Sequence, residues 1–128
     1  MTQEVAATRT VFVIDDDAAN LLLLRRILSR SPGLVVVTES DARAGLERIR
    51  EQKPDLVLLD LNISGVSGET ILREMRNDTE TSGIPVVIVS GDVNEDTKLR
   101  LLEAGAQRYL EKPYTITEVF ELVETLLS

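Results

Sequence analysis

Short apolar runs rich in β-branched residues alternate along this chain with longer segments of 3.6-residue period, the mark of βα units. Thr10 to Ile14 predicts a first strand. A helix follows from Ala18 to Ser29, with Leu21, Leu24 and Leu28 on one stripe, and Pro32 and Gly33 stop it. Leu34 to Thr38 predicts a second strand, and Asp41 to Glu51 a second helix that Ser40 or Asp41 caps. Gly45 inside that helix costs about 1 kcal/mol relative to Ala. Leu56 to Asp60 is an uninterrupted apolar strand, of the kind that helices cover on both faces. A loop from Leu61 to Ser67 leads through Gly68 to a helix ending near Asn77. Pro85 to Ser90 predicts the fourth strand, and Glu95 to Ala104 a helix that Gly105 terminates in the left-handed conformation. Arg108 to Leu110 predicts a short fifth strand, and Ile116, Val119, Phe120, Val123, Leu126 and Leu127 form the core-facing stripe of a last helix. Residues 1–9 are small and polar and read as a flexible N-terminal arm, which leaves 10–128 as one domain. Five such units with right-handed crossovers make a doubly wound parallel α/β sheet.

Charge and composition then remove whole classes of function. With 14 Lys and Arg against 22 Asp and Glu, the net charge of −8 opposes direct nucleic acid binding through phosphates. No apolar stretch approaches the roughly 20 residues of a membrane span, and Met1 to Arg9 lacks the apolar centre of a signal peptide. The expected location is cytoplasmic, with no membrane partner. The absence of Cys excludes disulfides and thiol nucleophiles, and the absence of His excludes imidazole bases, imidazole ligands and an internal phosphohistidine. Phosphoryl chemistry here must use carboxylates and a donor from outside.

The strand-like runs end in chemically distinctive residues. The first ends in Asp15, Asp16 and Asp17, the third in Asp60, the fourth in Ser90, and the fifth leads to Lys112 and Pro113. Each has a plain structural explanation alone: acids favour a helix N-terminus, and Ser-Gly and Lys-Pro pairs are ordinary turn material. Together they occupy the carboxyl edge of a parallel sheet, where such folds bind ligands. Two carboxylates about 4 Å apart repel by about 4 kcal/mol at an effective dielectric of 20, so the cluster calls for a cation. Hard oxygen ligands suit Mg²⁺, which takes one or two carboxylates plus a phosphate oxygen.

The segments Val13 to Asp17, Pro54 to Asp60, Ser90-Gly91 and Tyr109 to Pro113 resemble the receiver domain of two-component response regulators, similar in layout to chemotaxis regulators. The resemblance covers Thr10 to Ser128. It implies a flavodoxin-like, five-stranded parallel sheet in the order 2-1-3-4-5 with five helices. It also implies that Asp60 accepts a phosphoryl group from a phosphohistidine, on a sensor histidine kinase or a histidine phosphotransfer protein. Asp16, Asp60 and the backbone carbonyl of Asn62 would ligate Mg²⁺ directly, with Asp15 acting largely through water. Lys112 would pair with a phosphoryl oxygen, Ser90 would hydrogen-bond another, and the Lys112–Pro113 bond would be cis. Ser90 and Tyr109 would form the switch that alters the surface of the fourth helix, fifth strand and fifth helix for a downstream protein target. The first helix and the loop after Lys112 would contact the kinase, Asn62 and Asp92 would flank the phosphoryl group, and dimerisation through the last helices is allowed. Such a domain is not an enzyme beyond its own phosphorylation and dephosphorylation. Asp17 reads as the N-cap of the first helix.

One departure stands out. Receivers usually carry Pro in the loop after the phosphorylated Asp, where this chain has Ile63, Ser64 and Gly65. Losing a fixed φ widens the loop's ensemble, which predicts looser Mg²⁺ geometry. Three rival readings share some residues. A haloacid-dehalogenase-like phosphatase would use Asp15 and Asp17, but it needs an acidic pair after the Lys, and only the helical Glu118, Glu121 and Glu124 follow Lys112. An FMN binder would place its phosphate against three acids. A receiver-shaped binding module that is not phosphorylated would have no use for the full residue set.

Overall fold

The computed structural model describes residues 8–127. In chain order the elements are β1 (Arg9–Ile14), α1 (Ala18–Leu28), β2 (Leu34–Glu39), α2 (Ala42–Gln52), β3 (Leu56–Asp60), β4 (Asn62–Ile63), β5 (Val66–Ser67), α3 (Gly68–Asn77), β6 (Val86–Ser90), α4 (Glu95–Glu103), β7 (Arg108–Glu111) and α5 (Ile116–Leu127). Five strands form one parallel sheet in the order β2-β1-β3-β6-β7, which is the expected 2-1-3-4-5 arrangement.

Alternation along each strand divides the core into two layers. Phe12, Ile14, Val57, Leu59, Val86 and Ile88 face α2 and α3, where Leu46, Ile49, Ile71, Leu72 and Met75 meet them. Val11, Val13, Leu56, Leu58, Val87 and Val89 face α1 and α5, against Leu24, Leu28, Val119 and Val123. Every residue of β3 is buried, as its unbroken apolar run predicts. Gly45 marks close packing of α2 on β1: a Cβ there would stand 2.7 Å from Cδ1 of Ile14, which would have to shift to admit it.

The caps follow the sequence. Asp17 accepts the N–H groups of Ala19 and Asn20 at the head of α1, and Asp41 accepts that of Ala44 at the head of α2. Gly105 ends α4 at φ 114°. Two expectations change. The loop Leu61 to Ser67 contains an antiparallel ribbon, β4 on β5, because Gly65 at φ 83° lets the chain reverse. Arg9, placed in the arm, already belongs to β1 opposite Leu34; the arm's residues 1–7 and the domain's Ser128 lie outside the described residues.

The register positions the chemistry. Ile14 lies opposite Leu59, Asp60 opposite Val89, and Ser90 opposite Glu111. Asp15, Asp60, Ser90 and Lys112 therefore leave the sheet at one edge, within two residues of a common line.

Candidate functional site

Asp15, Asp16 and Asp60 each place a carboxylate oxygen within 4.8 Å of the others. Asp15 and Asp60 are buried while Asp16 is exposed, so the cluster forms a pit with one wettable wall. Lys112 Nζ approaches Oδ2 of Asp60 at 3.5 Å and Oδ2 of Asp15 at 3.7 Å. One ammonium opposes three carboxylates, and the net charge of this donor set fits a hard divalent cation. The Lys112–Pro113 peptide is cis, as expected.

Burial pushes the Asp60 carboxyl up to about 6, with the neighbouring Asp15 charge adding to the effect and Lys112 offsetting part of it. The Asn62 N–H reaches Oδ1 of Asp60 at 3.4 Å. Asp15 is oriented from its other side, its Oδ1 accepting the Asp17 N–H at 2.9 Å. Asp17 itself is exposed and spent on the helix cap, away from the cluster. The Asp-x-Asp arrangement of the phosphatase reading is therefore not assembled.

Asp16 is held by the ribbon. Its Oδ2 accepts both the N–H of Ser64 at 2.8 Å and the Ser64 hydroxyl at 2.6 Å. These bonds, the hydroxyl first, keep the Asp16 carboxyl below its ordinary value. The sequence expectation of a loose loop did not include this tie, because β4 and β5 are too short for a periodicity signal.

Ser90 is buried at the end of β6, and its Oγ accepts the N–H of Asp92 at 3.0 Å. The carbonyl of the same Asp92 accepts the Tyr109 hydroxyl at 2.6 Å. Ser90 and Tyr109, expected from the sequence to act together, are thus joined through the backbone of one residue. Tyr109 is half-buried on β7, with Lys98 Nζ 5.7 Å from its ring centre and Lys98 paired to Glu111. One group was not foreseen. The Tyr114 hydroxyl is buried without a hydrogen-bond partner among the described residues, and burial, then the charges of Asp15, Asp17 and Asp60, push it up, so it stays protonated.

Comparison with known proteins agrees with this geometry. The family described as the response regulator receiver domain matches residues 11–124. The transcriptional regulatory protein PrrA of Mycobacterium tuberculosis is 39% identical over 120 residues, covering 91% of this chain and 49% of PrrA. The chain thus spans about half the length of that relative. The polar-differentiation response regulator DivK of Brucella abortus is 28% identical over 121 residues, covering 94% of this chain and 98% of DivK. The chemotaxis protein CheY4 of Vibrio cholerae has the same fold, with a TM-score of 0.87 at 20% identity over 94% of this chain and all of that one.

Proposed function

Because this chain belongs to the response regulator receiver domain family, we propose that Asp60 accepts a phosphoryl group from a phosphohistidine and that the resulting charge switches the α4–β7–α5 surface. Receiver domains are signalling modules of two-component systems, and the family membership carries that much to this chain. Histidine kinases and downstream targets are the family's partners. The donor for this chain would be a sensor histidine kinase or a histidine phosphotransfer protein, read by α1 and the loop after Lys112. Among the described residues no helix is long and apolar enough to cross a membrane. A cytoplasmic setting is our reading of that and of the charge.

The observation that carries the assignment is the buried Asp60 carboxylate facing Lys112, with Asp15 and Asp16 beside it. An Asp60 oxygen forms the new P–O bond as the P–N bond to the donor imidazole breaks, with its electron pair leaving on the ring nitrogen. Receivers bind a divalent metal at such an acidic pocket, and we read the ion here as Mg²⁺, held by Asp16, Asp60 and the Asn62 carbonyl. When bound, Mg²⁺ neutralises and orients the transferring group. Asp15 would act on the ion through water, and it shares Lys112 with Asp60. Lys112, already 3.5 Å from Asp60, meets a phosphoryl oxygen as a point charge. Phosphorylation adds about −1.5 to −2 charges and three acceptors, which draw the Ser90 hydroxyl off the Asp92 N–H. The test is transfer from a phosphorylated histidine-containing donor in Mg²⁺, followed by location of the label. Label on Asp60, absent in Asp60→Asn, supports the reading; label elsewhere, or none, removes it.

A further inference from the structure

We propose that Ser64 is a positioning residue for the cation site, using its N–H and hydroxyl to fix one oxygen of Asp16 so that the other is presented to the metal. This rests on reading Asp15, Asp16 and Asp60 as the cation site.

The three carboxylates are not held alike. Asp15 and Asp60 are buried at the ends of β1 and β3, and packing fixes both. Asp16 lies one residue beyond Asp15, is exposed, and has no such packing. An exposed carboxylate beside two others turns into water, away from its like-charged neighbours, unless something restrains it. The two donors of Ser64 supply the restraint, at 2.8 Å and 2.6 Å, and both bind Oδ2. Neither bond takes up Oδ1, the oxygen that would face a cation. Hydrogen bonds to an ionised acceptor are about twice as strong as neutral ones.

The surrounding backbone explains why residue 64 can do this. Asn62 pairs with Ser67 and Ile63 with Val66, so Ser64 and Gly65 are the two turn residues of a ribbon that stands beside the first strand's acids. Gly65 at φ 83° supplies the left-handed step, which frees Ser64 to point both donors at Asp16. A proline at position 64 would have a fixed φ but neither an N–H nor a hydroxyl. The chain therefore replaces a rigid backbone by a two-pronged hydrogen bond from the loop to a ligand. Partners of this kind typically matter 10–100-fold in metal affinity.

The experiment is calorimetric titration of the full chain with Mg²⁺ alone, for wild type, Ser64→Thr, Ser64→Ala and Ser64→Pro, beside Asp16→Asn. Thr keeps both donors and should match wild type. Ala keeps only the N–H and should bind about tenfold more weakly; Pro keeps neither, its fixed φ offsetting only part of the loss, and should also bind more weakly than wild type. The side-chain carboxyl ¹³C resonance of Asp16 in metal-free protein should move in Ala and Pro and stay in Thr. Metal-free melting temperature separates this from general loosening, since Ala should leave it nearly unchanged. Equal or tighter binding in Ala and Pro, with wild type binding Mg²⁺ and Asp16→Asn not, overturns the role of Ser64 alone. No binding by wild type overturns the cation site as well.

Discussion

Gly68 stands against Asp60 so closely that a Cβ at position 68 would fall inside contact distance of the Asp60 carbonyl oxygen and 3.0 Å from Cα of Leu61. Its N–H donates to the Leu61 carbonyl at 2.8 Å. The first residue of α3 is thus the floor on which the end of β3 rests, and the obstruction is backbone that cannot rotate away. Gly68→Ala should destabilise the fold by about 1–3 kcal/mol, the usual range for overpacking, and displace Asp60. Urea unfolding measures the first effect; weakened Mg²⁺ binding at matched folded fraction measures the second.

The pH dependence of the metal-free fold follows from Asp60. Its carboxyl titrates at about 6 in the folded chain against an ordinary value of 3.8. As pH climbs between those values, the unfolded chain releases its proton first, so the fold loses stability up to about pH 6 and no more beyond. Asp60→Asn removes that penalty and leaves Lys112 its Asp15 partner at 3.7 Å. Above pH 6 the variant should be more stable than wild type by on the order of 1 kcal/mol after solvent screening, with the gap closing toward pH 4. A gap that widens on acidification would contradict the burial argument.

Asp92 links Ser90 and Tyr109, the residues proposed as the switch, through its N–H and its carbonyl, so side-chain changes at either act on the backbone of one residue. Tyr109→Phe keeps the ring and loses the bond to the Asp92 carbonyl, at a cost of about 0.5–1.5 kcal/mol. Tyr109→Ala should abolish the change in amide shifts over α4, β7 and α5 that an acyl phosphate produces in wild type. Full retention of those changes would remove Tyr109 from the switch.

Arg76 joins three segments. Its guanidinium donates to the carbonyls of Gly105 at 3.0 and 2.9 Å, Ile84 at 2.8 Å and Ser82 at 3.2 Å. This matters because α4 buries only Leu101 and otherwise depends on polar ties such as Arg100 to Glu69 at 3.1 Å. Arg76→Met should cost about 2–3 kcal/mol by stranding these carbonyls. Arg76→Lys should restore little, since a point charge cannot reach them together. Chemical denaturation distinguishes the two.

Much of this was legible in the chain because β3 and β6 are buried along their whole length, β1 over its last four residues, and most of the helices carry an apolar stripe. Leu56 to Asp60 and the stripe from Val119 to Leu127 leave little freedom in type or orientation, although Ile116, expected on that stripe, is exposed at the head of α5. The acids, Ser90 and Lys112 were legible because each directly follows, or nearly follows, an apolar run. The ribbon was not: two residues per strand give no period, and only Gly65 hinted at a reversal. Nor were the Ser64 bonds to Asp16, the Asp92 bridge or the packing of Gly68 on Asp60. These are meetings of residues distant in sequence or of backbone groups, which carry no side-chain pattern.

The proposed function stands on Asp60 accepting a phosphoryl group in a cation-dependent reaction. The most direct test is intact-mass analysis after incubation with Mg²⁺ and a small acyl phosphate, with Asp60→Ala and metal-free controls. One phosphoryl adduct on wild type, absent from both controls, is the expected result. An adduct that persists in Asp60→Ala, or none from either an acyl phosphate or a phosphohistidine donor, would contradict it.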